Sequence, residues 1–311
     1  MTDVPWVSGD ELLATMSVAA AADAIEAVLR GAAPLPMSPR RAVVETGSGQ
    51  LLAMPSGGRA AAGAKLVTLQ PANPARGLPL IHAVYVLFAG DTLEPAAFLD
   101  GAALTRLRTP AVSLVASRAL ARRDSRRLVV FGAGVQARAH VEAMRAELPL
   151  THVTVVDPTP AAATLVRELE QAGLDAVAGD ERAVETADVI CTCTTAVEPL
   201  FDGRRLPPGV HINAMGSYQP HTREIDEATL VSARVVVEDF GAVLAEAGDL
   251  RLPIAAGRYA PDMIAGDLRA AAQGLVTRSD ASEITLFKSV GVGWEDLVVA
   301  QAAWAAIRAH A

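Results

Sequence analysis

Residues 128–140 read LVVFGAGVQARAH, a short apolar run that leads directly into a glycine turn and then into a helical sequence. An apolar run of this length is typical of a buried strand. Gly132, Gly134 and Ala137 match the G-x-G-x-x-G/A fingerprint, which joins a strand to a helix around a dinucleotide pyrophosphate. The stretch therefore predicts a Rossmann fold with a bound dinucleotide. The alternative is a glycine turn in an α/β protein that binds no dinucleotide.

The positions of this fingerprint have different tasks. Gly132 permits the tight turn, Gly134 lets the backbone approach the phosphates, and Ala137 keeps the helix close to the strand. The helix that follows offers the amides of Val135 and Gln136, together with the positive end of its dipole, to a negative group. We expect these residues to hold the pyrophosphate of the cofactor.

Asp157 ends the next predicted strand, HVTVVD, and lies 23 residues after Gly134. That spacing is close to the one expected for a carboxylate that binds the ribose 2′-hydroxyl. A carboxylate repels a 2′-phosphate, so Asp157 favours NAD(H) over NADP(H). NADP(H) stays open as an alternative, because Arg138 or Arg167 could reach a phosphate. FAD is disfavoured, since the motif lies in mid-chain and no second flavin signature is present.

Strands and helices alternate through residues 119–291, which predicts a parallel sheet covered by helices on both faces. The part before residue 119 has a different texture, with β-rich stretches that follow one amphipathic helix and lead into a second helix. A final strand, loop and long helix occupy the end of the chain, and we expect that helix to pack on the first part. The first part is predicted to contain a helix over 10–31, strands over 41–54, 63–70 and 80–89, and a helix over 109–120.

The composition predicts a globular chain of two domains. The chain has 311 residues, of which 51% are hydrophobic and 20% are charged. A net charge of -8 without a basic stripe argues against nucleic acid as a partner. No apolar run reaches the length of a membrane span, and the first residues lack the pattern of a signal peptide. Cys191 and Cys193 are too few for a disulfide framework or a zinc site, so we expect core residues of a cytoplasmic protein and no metal.

The chain resembles the ornithine cyclodeaminase/mu-crystallin family over nearly its whole length. The resemblance implies a Rossmann NAD(P)-binding domain over 119–291, inserted into a discontinuous α+β substrate and dimerisation domain over 1–118 and 292–311. It also implies a homodimer. The matching stretches, in order, are LLAMPSG, AKLVTLQPANPARGLP, FLDGAALTRLRTPAVSLVA, VVFGAGVQARAH, ADVICTCTT, HINAMGSYQPHTREID, EAGDL and ITLFKSVGVGWEDL.

By position, the resemblance implies that Arg41, Lys65 and Arg108 bind the carboxylate of the substrate. Guanidinium groups suit a bidentate grip on a carboxylate. Lys65 is one of only two lysines in the chain, and a compact ammonium with a tuned pKa can also donate a proton. The alternative for the two arginines is a solvated surface position. His82, which follows the GLPLI segment, is a further candidate for this pocket or an ordinary strand residue.

The resemblance implies further cofactor contacts at Thr109, Thr194 and Lys288. For Thr109 the alternative is an ordinary N-cap, because the predicted helix begins there. For Lys288 the alternative is an exposed lysine.

Two positions depart from the pattern of the cyclodeaminases. Tyr218 stands where these enzymes and the related alanine dehydrogenases carry an aspartate, two residues after Gly216. Leu52 stands where cyclodeaminases carry a glutamate, before Met54 and Pro55. Cyclisation of ornithine needs acid and base groups for two amines, and both expected carboxylates are missing. The chain is therefore more similar to the imine-reducing, ketimine reductase branch, with Tyr218 as a residue that lines the pocket or donates a hydrogen bond.

We expect an oxidoreductase that transfers hydride from NAD(P)H to the C=N carbon of a cyclic 2-imino acid. The candidate substrates are 1-pyrroline-2-carboxylate and 1-piperideine-2-carboxylate, and the products are proline and pipecolate. Lys65, Arg108 and Tyr218 are the candidate catalytic residues. The alternatives, in order, are an alanine or other amino-acid dehydrogenase, an ornithine cyclodeaminase, and a non-catalytic protein that binds NAD(P)H.

Overall fold

The computed structural model describes residues 4–310. Its helices are α1 (Gly9–Thr15), α2 (Val18–Arg30), α3 (Gly101–Leu120), α4 (Val135–Glu147), α5 (Ala161–Gln171), α6 (Glu227–Ser232), α7 (Phe240–Glu246), α8 (Gly248–Ala255), α9 (Leu268–Ala272) and α10 (Gly293–His310). Its strands are β1 (Trp6–Val7), β2 (Ala42–Thr46), β3 (Gly49–Gly57), β4 (Ala61–Leu69), β5 (Ile81–Ala89), β6 (Pro95–Asp100), β7 (Arg127–Phe131), β8 (His152–Val156), β9 (Asp175–Ala178), β10 (Val189–Thr192), β11 (His211–Ala214), β12 (Ala233–Val237), β13 (Ile264–Asp267) and β14 (Ile284–Lys288).

The chain divides into two compact units. The first unit comprises the chain through Val112 together with the chain from Val292 onward, and the second runs over Ser113–Gly291. Helix α3 begins in the first unit and ends in the second.

The first unit is built on a six-stranded sheet with the order β1-β6-β5-β4-β3-β2. Its strands are antiparallel except for β1, which runs parallel to β6. Because side chains alternate along a strand, Met54, Lys65 and Tyr85, which are cross-strand partners, lie on one face. All three are buried, and α10 packs against β3, β4, β5 and α2. The expected return of the last helix onto the first part of the chain is confirmed.

The second unit is built on an eight-stranded sheet with the order β13-β12-β14-β11-β10-β7-β8-β9, in which every pairing is parallel. The predicted parallel sheet is confirmed. Strand β10 is buried at every residue, as expected for a central strand of such a sheet. Chain order reverses between β7 and β10, and ligands of open α/β sheets bind at the carboxyl ends of strands at such a point. The glycine turn after β7 lies at that end.

Three boundaries predicted from the sequence were wrong. The helix predicted over 10–31 is two helices, because Ser17 interrupts it and accepts a hydrogen bond from the amide of Ala20 at 3.1 Å. The strand predicted over 41–54 is two strands, joined by a turn that Thr46 stabilises through Gly49. The helix predicted from Thr109 begins at Gly101, where Asp100 accepts from two amides at 2.9 Å. Strands β1, β6 and β13 were not predicted.

Among the described residues, no single helix is long and apolar enough to cross a membrane. Helices α1 and α2 meet the criteria of length and composition only as a pair, and the chain bends by 73° between them.

Two buried histidines anchor the second half of α3 to the second unit. His140 contacts the hydroxyl of Ser113 at 3.0 Å, and His211 contacts those of Ser117 at 3.1 Å and Thr285 at 3.0 Å. Burial lowers the pKa of His140 to about 4. Burial, together with the charge of Arg278, lowers the pKa of His211 to about 3. Both imidazoles are therefore neutral in the folded protein at neutral pH.

We expect the free energy of unfolding to fall as the pH is lowered from about 7 to about 5. The two histidines protonate near pH 6.5 in the unfolded chain but only well below it in the folded one, so acid favours the unfolded state by up to about 1.4 kcal/mol per pH unit for each histidine. Urea unfolding followed by circular dichroism measures this slope. His140→Asn should reduce it, and His82→Asn, at an exposed strand position, should not. Equal slopes in both variants and the parent protein would show that buried His140 does not contribute to the loss of stability in acid.

Candidate active site

Lys65 lies in the middle of the first unit, on the buried face of β4, and its side chain is 2% exposed. Its ammonium donates to Asp296 Oδ1 at 2.8 Å and to Thr105 Oγ1 at 3.1 Å. A charged amine in such a place requires a carboxylate partner, because burial of an unpaired charge costs several kcal/mol. The pairing with Asp296, near the start of α10, satisfies that requirement.

Arg108 reaches the same carboxylate from α3. Its Nε donates to Asp296 Oδ1 at 3.2 Å, and its Nη1 donates to Glu295 Oε2 at 3.2 Å. Both acidic residues lie in the first turn of α10, where the helix dipole favours negative charge. Lys65, Arg108, Glu295 and Asp296 therefore form one buried ion cluster, all four less than a tenth exposed.

A further cation, Arg41, lies beside this cluster and influences it. Burial lowers the pKa of Lys65 to about 8, Asp296 opposes this shift, and the positive charges of Arg108 and Arg41 add to it. Arg41 therefore lies close enough to act on Lys65. The two cations and the two carboxylates of the cluster balance each other, and Arg41 beside them adds one positive charge, which suits a substrate with one carboxylate. With a pKa near 8, Lys65 is mostly protonated at neutral pH and can still give up its proton.

The structure brings together the three cations predicted from the sequence, Arg41, Lys65 and Arg108. Sequence reasoning missed Glu295 and Asp296, although two adjacent acids at the start of an apolar helix were a signal. It also missed Tyr85, the strand partner of Lys65, whose buried hydroxyl has no hydrogen-bond partner among the described residues. Burial raises the pKa of Tyr85 far above its usual value, so its phenol stays protonated.

Two further positions of this sheet, His82 and Leu52, were singled out in the sequence. His82 is exposed and lies on the face of β5 opposite to that of Tyr85 and Lys65. The prediction that it faces the pocket of Lys65 was therefore wrong. Leu52 is 4% exposed and pairs with Val67 and Val43 in the sheet. An apolar side chain therefore occupies the place where the cyclodeaminases have their glutamate.

The glycine turn in the second unit has the geometry that a dinucleotide needs. Gly132 has a φ of 95°, and a Cβ there would lie 2.6 Å from the carbonyl oxygen of Cys193. A Cβ at Gly134 would meet no atom within 4 Å, so the space above this backbone is open. Helix α4 begins at Val135 without a side-chain cap, and Ala137 is fully buried. An uncapped helix start beside open backbone fits a pyrophosphate.

Asp157 supports this turn as well as facing it. Its Oδ2 accepts from the amide of Ala133 at 3.0 Å, and its Oδ1 accepts from the amide and hydroxyl of Thr159 at 2.8 Å and 2.5 Å. Arg138, a possible phosphate ligand, forms an ion pair with Glu168 at 2.6 Å and donates to the carbonyl of Ala133. The guanidinium of Arg138 therefore already has a carboxylate and a carbonyl as partners.

Glu224 ties together the ends of β10 and β11. Its Oε1 accepts from the amide and hydroxyl of Thr194 at 2.9 Å and 2.7 Å, and its Oε2 accepts from the amides of Gly216 and Ser217 and from the hydroxyl of Thr192. The side chain is fully buried. Thr194 is thereby fixed next to the glycine turn, since the carbonyl of Cys193 faces Gly132.

Lys288 is fully buried, so the alternative of an exposed lysine was wrong. Its ammonium donates to the carbonyl of Ser217 and pairs with Asp249, both at 2.7 Å. Ser217 is thus held by Lys288 and by Glu224, and the adjacent Tyr218 lies half-buried against the core of the second unit. Thr109 is buried inside α3 rather than at its start, so the alternative of an N-cap was wrong too.

The sequence profile of the ornithine cyclodeaminase/mu-crystallin family matches residues 8–310. The chain is 36% identical over 258 residues to a Δ1-pyrroline-2-carboxylate reductase of Bacillus cereus, which covers 80% of this chain and 79% of that protein.

Two solved structures are similar over almost the entire chain. The Δ1-pyrroline-2-carboxylate reductase of Thermococcus litoralis, in complex with NADH and L-proline, has a TM-score of 0.94 and 32% identity, and the match covers 99% of this chain and 98% of that one. An archaeal alanine dehydrogenase dimer with bound NAD has a TM-score of 0.92 and 28% identity, with 99% and 97% covered.

We expect Gly134→Ser to weaken NADH binding roughly tenfold, ~1.4 kcal/mol, without loss of thermal stability. The serine fits the open space and is a good N-cap, but it occupies the room and the amides that a pyrophosphate needs. Gly132→Ala, the comparison variant, should lower both affinity and melting temperature, because a left-handed φ costs alanine ~1–2 kcal/mol and its Cβ would meet Cys193. Fluorescence titration and thermal melts measure both quantities. Unchanged NADH affinity in the serine variant would contradict the site.

Proposed function

The chain belongs to the ornithine cyclodeaminase/mu-crystallin family, and from that premise we propose that it reduces a cyclic 2-imino acid with NADH. The substrate class is 1-pyrroline-2-carboxylate or 1-piperideine-2-carboxylate, and the product is proline or pipecolate. The observation that carries the proposal is the buried ion cluster around Lys65, which together with Arg41 has one net positive charge and which contains an ammonium with a pKa near 8.

The three cations have distinct tasks in this proposal. Arg41 and Arg108 bind the substrate carboxylate, since a guanidinium matches its two oxygens. Lys65 has three N–H donors, of which Asp296 and Thr105 take two, so the third can point to the substrate. The apolar Leu52 and Met54 lie on the same buried face and help to exclude water from the imine.

The proton balance follows from the pKa of Lys65. Reduction of the C=N bond adds a hydride to carbon and leaves a proton on nitrogen. When bound, NADH supplies the hydride. The ammonium of Lys65 keeps the imine nitrogen protonated and then recovers its proton from solvent, which a pKa near 8 allows at neutral pH. No carboxylate base is needed for this step, which agrees with Leu52 and Tyr218 at the two positions where carboxylates are missing.

Contacts to the cofactor are proposed for both ends of the glycine turn. The amides after Gly134 bind the pyrophosphate, and Asp157 binds the ribose. The ion pair of Arg138 with Glu168 supports NADH over NADPH, because a guanidinium that already pairs with a carboxylate is a weaker partner for a 2′-phosphate. For Lys288 we propose an indirect part, since its ammonium already holds Ser217 and Asp249.

Three further contacts complete the proposed site. Thr194, held by Glu224, and Thr109 are proposed to contact the cofactor. Tyr218 is proposed to line the substrate pocket, on a turn that Ser217 fixes.

We expect the protein to oxidise NADH in the presence of 1-pyrroline-2-carboxylate or 1-piperideine-2-carboxylate without added ammonia, and to use NADPH more slowly. Arg108→Ala should lower kcat/KM at least about tenfold, since a hydrogen bond to a charged group is worth ~1.5–3 kcal/mol. Arg106→Ala, two residues away on α3, is the matched control and should stay close to the parent enzyme. Activity only with pyruvate and ammonia would move the assignment to an amino-acid dehydrogenase.

A second copy of this chain is the proposed protein partner. The face of the first sheet opposite Lys65 exposes large apolar side chains, among them Trp6, Leu66 and Phe98. Trp6 and Phe98 are paired across β1 and β6, so they form one surface. Monomers seldom leave such a face in water, and the similar archaeal alanine dehydrogenase is a dimer. We propose that this face forms the interface of a homodimer.

Phe98→Asp should convert the dimer into monomers, because a carboxylate buried in an apolar interface has no partner. Light scattering during size-exclusion chromatography gives the mass. Leu275→Asp, at an exposed leucine of the second unit, should leave the mass unchanged. A monomeric parent protein, or a dimer that survives Phe98→Asp, would argue against this interface.

A further inference from the structure

A single carboxylate oxygen binds both Lys65 and Arg108, the two buried cations described in the first unit. Asp296 Oδ1 accepts from Lys65 Nζ at 2.8 Å and from Arg108 Nε at 3.2 Å. Its side chain is fully buried, and its second oxygen has no hydrogen-bond partner among residues 4–310. Both cations are therefore bound to the same atom, and Thr105 and Glu295 each bind one of them in addition.

The other groups that face Lys65 do not replace Asp296. Thr105 on α3 is neutral, Tyr85 on β5 stays protonated, and Met54 on β3 is apolar. Arg108 and Arg41 are positive, and both lower the pKa of Lys65. Asp296 is thus the group that opposes the effect of burial on this ammonium.

Glu295, the neighbour of Asp296, provides a natural contrast. It binds Nη1 of Arg108 at 3.2 Å and lies next to the amide of Val292 at 3.5 Å. It is equally buried and carries the same charge. It makes no hydrogen bond or ion pair with Lys65, whose ammonium contacts Asp296 and Thr105, so Asp296 is the acidic group in direct contact with that ammonium.

We propose that Asp296 is the positioning residue of the reaction: its Oδ1 binds the Lys65 ammonium and the Arg108 guanidinium side by side, so that Arg108 faces the substrate carboxylate while Lys65 faces the adjacent imine nitrogen. This role rests on the proposed imine reduction. Asp296 acts through Lys65 and Arg108, whereas Glu295 orients Arg108 alone. In this arrangement Asp296 also keeps Lys65 in its protonated form, which the imine requires.

The ionisation of Lys65 can be observed directly, because the chain contains only two lysines, Lys65 and Lys288. Protein labelled with ¹³C at the lysine ε-carbon gives two side-chain signals, and Lys65→Arg or Lys288→Arg assigns them. In the parent protein the Lys65 signal should titrate near pH 8. Asp296→Asn should lower this pKa by about 1–3 units, the usual effect of an adjacent opposite charge. Glu295→Gln should leave it close to that of the parent protein.

The pH dependence of imine reduction gives the second readout. With Asp296→Asn, the fall of kcat/KM at high pH should move to lower pH by the same amount as the Lys65 titration. Titration of the imine itself is common to both enzymes and cancels in the comparison. With Glu295→Gln, KM should rise because Arg108 is less well oriented, while the pH at which kcat/KM falls should stay unchanged. Thermal melts followed by circular dichroism show whether each variant is folded, and NADH binding checks the second unit separately.

An unchanged Lys65 pKa in Asp296→Asn would overturn the proposal, as would a shifted pKa with no matching shift in kcat/KM. If that variant does not fold, Asp296→Glu provides the test, since it keeps the charge and alters the spacing. It should retain a Lys65 pKa near 8 and lose kcat/KM at least about tenfold, ~1.4 kcal/mol, and undiminished kcat/KM would refute the role. The titration needs no turnover, so an inactive parent enzyme would overturn the proposed function separately.

Discussion

The buried ion cluster of Lys65, Arg108, Glu295 and Asp296 is the constraint on which the first unit depends. Charges enter a protein interior only when they are paired, and the acids that pair these cations come from the far end of the chain. Lys65 and Asp296 are 231 residues apart in sequence. The chain must therefore return to its first sheet after the second unit is complete, and the long helix α10 performs that return. The first unit is accordingly built from two separate stretches of the chain.

In the second unit the buried charged groups fix loops, because there the backbone amides of the loops, and not charged side chains, are proposed to bind the ligand. Glu224 accepts hydrogen bonds from both neighbouring strand ends, and Lys288 with Asp249 holds the turn that carries Tyr218. Buried groups of this kind fix the loops around a cofactor site without occupying it. The glycine turn itself stays uncapped and open. The two units thus divide the proposed chemistry, one with fixed charges for the substrate and one with fixed backbone for the cofactor.

Local patterns explain what could be predicted from the sequence and what could not. The strand, turn and helix around Gly132 are contiguous, so the fingerprint predicted them and the parallel sheet around them. The start of α3 was missed because Pro110 resembles a first helical residue, whereas Asp100 caps the helix much earlier. Asp296 was missed because its partners are distant in sequence and leave no periodic trace. Lys288 was expected to contact the cofactor or solvent. Its burial against Asp249 could not be predicted, because the two residues follow no recognisable sequence spacing.

The proposed function requires that the cations of the first unit bind a cyclic amino or imino acid through its carboxylate. A crystal structure of the protein with NADH and L-proline tests it most directly. We expect the proline carboxylate within hydrogen-bonding distance of the guanidinium groups of Arg41 and Arg108, the proline nitrogen facing Lys65 Nζ, and Asp296 still bound to both Lys65 and Arg108. A carboxylate bound elsewhere, with the ion cluster untouched, would contradict it.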